Sequence, residues 1–370
     1  MLTIMLLTVF VSGVSFAQLT GTKTIPGDYA TVAAAVTDLN TLGVGAGGVT
    51  FDVAAGHTES NAASITITAT GISGNPIVFQ KSGGGANPVI TRNDAGVNTT
   101  SALGGLGDAV IQLSGTDYIT FDGIDVAASA STIEYGYLTH KPSGTDGCQF
   151  VTIKNATVTM TKGTSGFVVG IYLGNGASTV SSATGVVVSA GSGTSKNITL
   201  TGNTIKNVHA GIICRGATAM YDSNYTIGQS GGGNTIQNFG GGSATTTYGV
   251  YFIYVNSPSV AYNTFDNAGG GGSAHTSTLY GVFYSTVNGN VVGSNNTFTL
   301  ANSSATSGTN YIQQNSTAVT SEIYSNNTFA MGTMSSTGTV YLITASNATN
   351  TKTISGNVTS GTLSRTGASG

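Results

Sequence analysis

The side chains with the richest acid–base potential gather in one stretch: Asp117, Asp122 and Asp125, with Glu134, His140 and Lys141 soon after. Grouped carboxylates can divide the work of general acid and general base, and a lysine beside them can serve as a base. Asp117, Asp125 and Lys141 are the catalytic candidates. Asp122 and Asp125 are three apart, so in one continuous strand they face opposite sides. Gly123 marks a turn beside Asp122, which reads as that turn's cap and leaves Asp125 the more exposed of the two. Arg215 with Asp222 is a second pairing, of a kind that a surface ion pair explains. Beyond Asp146 the only acidic residues are Asp222, Asp266 and Glu322, so the second half is nearly bare of acid–base groups.

A binding surface has different candidates. Tyr172, Tyr248, Tyr251, Tyr254, Tyr280 and Tyr284 recur at strand-like positions, and aligned tyrosines make a platform for sugar rings. Tyr251, Tyr254 and Tyr284 are singled out for that role. Strand alternation puts Tyr248 and Val250 on one face and Tyr251 on the other, so one set must be interior. No Cys or His spacing matches a metal site, and no metal is expected. Cys148 and Cys214 either bridge or lie as buried thiols in neighbouring units.

The element that must position these groups is a repeat. Asn203-Thr204-Ile205, Asn234-Thr235-Ile236, Asn263-Thr264-Phe265, Asn296-Thr297-Phe298, Asn327-Thr328-Phe329 and a weaker Asn357-Val358-Thr359 follow at intervals of 31, 29, 33, 31 and 30 residues. Before the asparagines come runs such as Tyr248-Gly249-Val250-Tyr251-Phe252 and Tyr280-Gly281-Val282-Phe283-Tyr284. Short β-branched and aromatic runs between Gly, Ser, Asn and Thr are strands and turns with no room for helices. A unit this short cannot bury its own apolar side, so each must lie on the next as a coil of a parallel solenoid, about 4.8 Å apart. Asn203, Asn234, Asn263, Asn296, Asn327 and Asn357 are then a structural ladder, their amides bonding from coil to coil. Five of the six residues before them are Gly or Asn, which suits a left-handed turn. The residue two places on, Ile205 to Phe329, enters the core as a column, and Thr359 ends it.

The 370 residues are 7% charged and 39% hydrophobic, with 55 Gly, no Trp and a net charge of −3. Neither disorder nor nucleic-acid binding fits this composition: β-branched residues abound, net charge is small, and the few Lys and Arg are scattered. The apolar run Leu2 to Phe16 ends in Ser15-Phe16-Ala17, a small-x-small site, so residues 1–17 read as a signal peptide, although no Lys or Arg precedes it. No later segment is apolar and long enough to span a membrane. Residues 18–48 read as an amino-terminal cap with one helix at about 29–42, its N-cap at Asp28 and Val32, Ala35, Val36 and Leu39 on one face. Residues 49–370 read as the solenoid, expected to continue beyond the last residue.

The order of short helix, Val49-Thr50-Phe51-Asp52-Val53, Gly56-His57-Thr58-Glu59, Ile65-Thr66-Ile67-Thr68, Pro76-Ile77-Val78-Phe79 and Asp117-Tyr118-Ile119-Thr120-Phe121-Asp122-Gly123-Ile124 resembles the pectin-lyase-like superfamily of right-handed parallel β-helices. It is similar above all to uncharacterised secreted and surface β-helix proteins of Bacteroidetes and related bacteria. The resemblance implies an all-β, right-handed parallel β-helix with a short capping helix, and an architectural role for His57 and Glu59. It also implies an export route and, for enzymes of this fold, either calcium-binding acids with an Arg or Lys base or clustered carboxylates. No complete set of either kind is visible. The expectation is therefore a secreted or cell-surface module, structural, adhesive or in contact with extracellular polysaccharide or a cell-surface glycan, without catalysis or cofactor. The alternative is a polysaccharide lyase or glycoside hydrolase acting on an acidic polysaccharide, with Ca2+ in the lyase case.

Overall fold

The computed structural model describes residues 17–96, 108–163, 167–242, 245–331, 333–334, 338–347, 351–361 and 364–365. The expected signal peptide lies outside them except for its last residue. The chain is an all-β parallel β-helix with one α-helix, Val32–Leu42, among the described residues. Each coil has three faces, typified by Ala210–Arg215, Asp222–Ile227 and Thr235–Phe239. Among the described residues the third faces stack into a parallel sheet of ten strands. The described strands of the first and second faces merge into one sheet of 19, because Thr247–Asn256 and Leu279–Ser294 run from one face to the other without a break.

Register is set by columns of like residues. On the third face Ile90, Val126, Val158, Ile205, Ile236, Phe265, Phe298 and Phe329 pair in succession and all are buried. Phe298 stacks between Phe265 and Phe329 at ring-centre distances of 4.7 and 5.5 Å. Thr359 follows Phe329 in register and is exposed.

The asparagine ladder forms as its spacing predicts. Each buried Asn donates Nδ2 to the Oδ1 of the next, at 3.0, 2.9, 3.1, 3.2 and 2.9 Å from Asn203 to Asn357. Each also sends its backbone N–H to that same Oδ1 and its second amide hydrogen to a carbonyl of the coil before, as Asn263 does to Ile227 at 2.8 Å. Every buried polar atom of the turn is thereby satisfied. The left-handed turn preceding it holds at Gly202, Asn295, Asn326 and Gly356 but also at Tyr262, and Gly233 is the exception. Gly233 is required by proximity instead, since a Cβ there would sit 1.8 Å from the Tyr262 carbonyl oxygen.

Alternation fails on the first face, and with it the expected separation of Tyr248 from Tyr251. Gly249 and Val250 both turn inward: a Cβ on Gly249 would meet Phe265 at 2.6 Å, and Val250 lies in the core. Tyr248 and Tyr251 therefore both project outward into a second apolar cluster, apart from the solenoid core. Tyr284 points inward, fully buried, with its hydroxyl donating to Val292 O at 2.6 Å.

The helix begins at Val32, three residues later than expected, because Thr31 and not Asp28 is its N-cap, accepting from Ala34 N–H at 3.1 Å. Asp28 closes the preceding turn by accepting the Thr24 N–H at 2.7 Å. Val32, Ala35, Val36 and Leu39 are the buried face, as read. The strand before the helix, Leu19–Ile25, already pairs in parallel with Val44–Ala54.

Candidate functional site

The acidic stretch does not converge. Lys141 is wholly buried and in contact with Asp222, so it is no base for a surface substrate. Asp125 is held between coils, its Oδ1 accepting from Thr157 N–H at 2.7 Å and Asn87 Nδ2 at 2.8 Å. Asp122 accepts from Asn155 at 2.7 Å and pairs with Lys154 at 3.0 Å. Glu134 is buried and accepts the Asp108 N–H, and buried His140 is pushed down to about 4, so its ring is neutral near pH 7. These assignments were out of reach of linear spacing, because the solenoid interior is filled only once coils of unequal length are stacked.

Asp117 differs. It stands half-buried at the corner leading into the second face, and burial raises its carboxyl to about 6 against the one N–H, from Gln149 at 2.7 Å, that stabilises the anion. The Asp146 charge adds to the rise and Lys196 opposes it. Beside it Tyr118 and Phe150, both in left-handed conformation, stack at 4.3 Å with Phe150 exposed.

The second gathering is on the outside of the first face. Tyr248, Tyr251, Tyr280 and Phe283, from two consecutive coils, form a near-parallel plate: Tyr248 lies 5.2 Å from Tyr280, Tyr251 lies 5.5 Å from Phe283, and Tyr280 lies 4.6 Å from Phe283. Tyr172, Leu138 and Ile213 continue the apolar stripe. The strand ends in Arg215, and Asp222 is not its partner, being engaged inside by Lys141. Arg215 has no carboxylate partner among the described residues; its Nη2 reaches only the Ala183 carbonyl, at 3.4 Å. It lines a cleft with Asn175, Thr184, Val187, Thr218 and Tyr254. Burial raises the Tyr172 and Tyr251 hydroxyls, Tyr172 to about 12, and the Arg215 charge works against the rise in both. Of the tyrosines proposed from sequence, Tyr251 and Tyr254 thus flank Arg215 and Tyr284 is core.

Cys148 and Cys214 are buried thiols, not a bridge. No group of three or more metal-ligating side chains occurs among the described residues, and none of their helices is long and apolar enough to cross a membrane.

No protein family and no curated protein matches the sequence. Among solved structures the chain is similar to an alginate lyase from Paenibacillus sp. str. FPU-7, with a TM-score of 0.45 and 11% identity over 93% of this chain and 99% of that one. It is similar also to PfbA, a surface adhesin of Streptococcus pneumoniae, with a TM-score of 0.49 and 13% identity over 92% and 89%. A GH136 lacto-N-biosidase from Eubacterium ramulus gives 0.49 and 11% over 91% and 66%. At these identities the likeness extends no further than the coiled architecture.

Proposed function

We propose that this chain is an extracellular β-helix that holds an acidic glycan without turning it over, at the cleft and aromatic plate on the outside of the first face. The observation that carries this reading is Arg215, a guanidinium with no acidic partner among the described residues, set between Tyr254 and the plate that contains Tyr251. A planar guanidinium matches a carboxylate with two parallel N–H donors, and neighbouring aromatic rings receive the apolar face of a sugar. A uronate unit offers both. The exported location is supported by the apolar Leu2 to Phe16 run and the Ser15-Phe16-Ala17 site that ends it.

A second reading, cleavage of an acidic polysaccharide, rests on Asp117. A carboxyl held near 6 beside an exposed stack of rings is suited to give or take a proton near neutrality. It has against it that Asp125 and Lys141 are committed to structural contacts.

Binding and product release by the purified chain on polyuronate and neutral glycans, with and without calcium, separate the two. Polyuronate binding without unsaturated or reducing-end products, lost in Arg215→Ala and kept in Asp117→Asn, is the expected result. Product release abolished by Asp117→Asn would overturn it in favour of the enzyme, and binding untouched by Arg215→Ala would remove the cleft.

A further inference from the structure

Inside the solenoid, apart from either candidate site, the Lys141 Nζ lies in direct contact with Asp222 Oδ1, and neither side chain has any exposure. The two residues are 81 apart in sequence and belong to coils separated by one coil between. That middle coil supplies the Ser195 N–H, which donates to Asp222 Oδ1 at 2.9 Å. The Tyr225 hydroxyl donates to Asp222 Oδ2, also at 2.9 Å. Nothing else ionic is needed to explain an ordinary strand start at Asp222, and an apolar pair would fill the same space with less desolvation.

We infer that Lys141 and Asp222 condense in the folded chain into an amide between Nζ and Cγ, a covalent staple across three coils. Its parts are those that amide formation needs. Burial holds the Asp222 carboxyl above its ordinary range, towards the acid form. Transfer of a proton from the lysine ammonium to the carboxylate leaves an amine and a carboxylic acid in contact. The Nζ lone pair forms a bond to Cγ, and the charge developing on Oδ2 is met by the Tyr225 hydroxyl, which already donates to it. The Cγ–Oδ1 bond then breaks. Oδ1, the oxygen in contact with Nζ, leaves as water with the proton it first received from the ammonium and a second proton taken directly from Nζ. The products are one amide and one water, with no oxidant, reductant or cofactor. Contact held by the fold replaces an encounter in solution, the usual source of large effective molarity.

The test is a peptide map of the purified, denatured chain by mass spectrometry. Pro142 follows Lys141, so trypsin leaves that bond intact in either case, and the peptide bearing Lys141 is recovered whole. The expected result is that this peptide is joined to the one bearing Asp222, lighter than their sum by one water, with the species absent from Asp222→Ala and Lys141→Arg. In Tyr225→Phe the linked fraction at early times after synthesis is expected to fall several-fold. Two unlinked peptides from the unsubstituted chain would overturn the inference and leave a buried ion pair, an outcome that does not depend on any variant folding. Linkage at an unchanged rate in Tyr225→Phe would remove the Tyr225 hydroxyl from the step.

Discussion

Glu59 Oε2 accepts the backbone N–H of Val32 at 2.7 Å, and its Oε1 accepts that of Ala33 at 3.0 Å. Glu59 pairs in register with Ile90, so it occupies the first place in the third-face apolar column, the coil that the helix covers. A carboxylate belongs there because the neighbour on its open side is a helix N-terminus, with free N–H groups and the positive end of the dipole. Glu59→Gln keeps the shape but loses the charge and one acceptor. It is expected to destabilise the cap by about 1–2 kcal/mol, read as a lower urea midpoint. An unchanged midpoint would mean that Thr31 alone caps the helix.

The ladder makes a contrast between its middle and its end. Asn263→Ala removes the acceptor of the Asn234 N–H and Nδ2, at 3.0 and 2.9 Å, and strips donors from Ile227 O and Asn296 Oδ1. Two buried donors left bare cost roughly 1–3 kcal/mol each, so a loss of about 3 kcal/mol or more is expected. Asn357 is only half-buried, so water can replace its Oδ1 as the acceptor of the Asn327 N–H and Nδ2, and Asn357→Ala is expected to cost about 1 kcal/mol. Equal losses in thermal or urea unfolding would refute a cooperative ladder.

Tyr262 and Gly233 exchange the roles that their residue types suggest. Tyr262 holds φ at +64° and is 44% exposed, at the place where Asn295 and Asn326 hold +58° and +56°. A bulky residue in that region costs roughly 1–2 kcal/mol, most of which Asn avoids, so Tyr262→Asn is expected to stabilise the chain by about 1 kcal/mol. Gly233→Ala is expected to destabilise it by more than about 2 kcal/mol, because the methyl group would strike the Tyr262 carbonyl oxygen. Melting temperatures that move in the same direction for both variants would contradict this account.

What was legible in the sequence was whatever recurs in every coil. Asn203 to Asn357 and Ile205 to Phe329 each satisfy a need that the next coil poses again, so residue type and period alone identify them. The helix face was legible for the same reason of regular spacing. The orientation of Tyr248 and Tyr251 was not, because Gly249 lets two consecutive residues face inward and breaks the period of two on which alternation depends. Nor was the contact of Lys141 with Asp222, since the segments between 141 and 222 contain loops of unequal length that no period measures. Arg215 changed meaning with it: once Asp222 is inside, the cation outside has no acid to answer it among the described residues.

Asp117 gives a pH signature with a fixed sign. Its carboxyl is at 3.8 in the unfolded chain and about 6 in the folded one, so between those values the folded state binds a proton that the unfolded state does not. Stability from this group therefore rises as pH falls from about 7 to about 4, and above that window the ionised, half-buried carboxylate detracts from folding. His140 acts in the opposite sense, since its ring is pushed down to about 4 and the unfolded chain takes the proton first. The sum of the two is not diagnostic, but the difference between the chain and its Asp117→Asn variant is. Asn retains an acceptor for the Gln149 N–H and removes the titration. The variant is expected to be more stable at pH 8 by about 1 kcal/mol, a figure reduced for the solvent that screens a half-exposed group, with the advantage vanishing towards pH 4. Urea midpoints of both proteins from pH 4 to pH 8 measure it. An advantage that stays constant across that range would place the titrating group elsewhere and withdraw Asp117 as a proton carrier near neutrality.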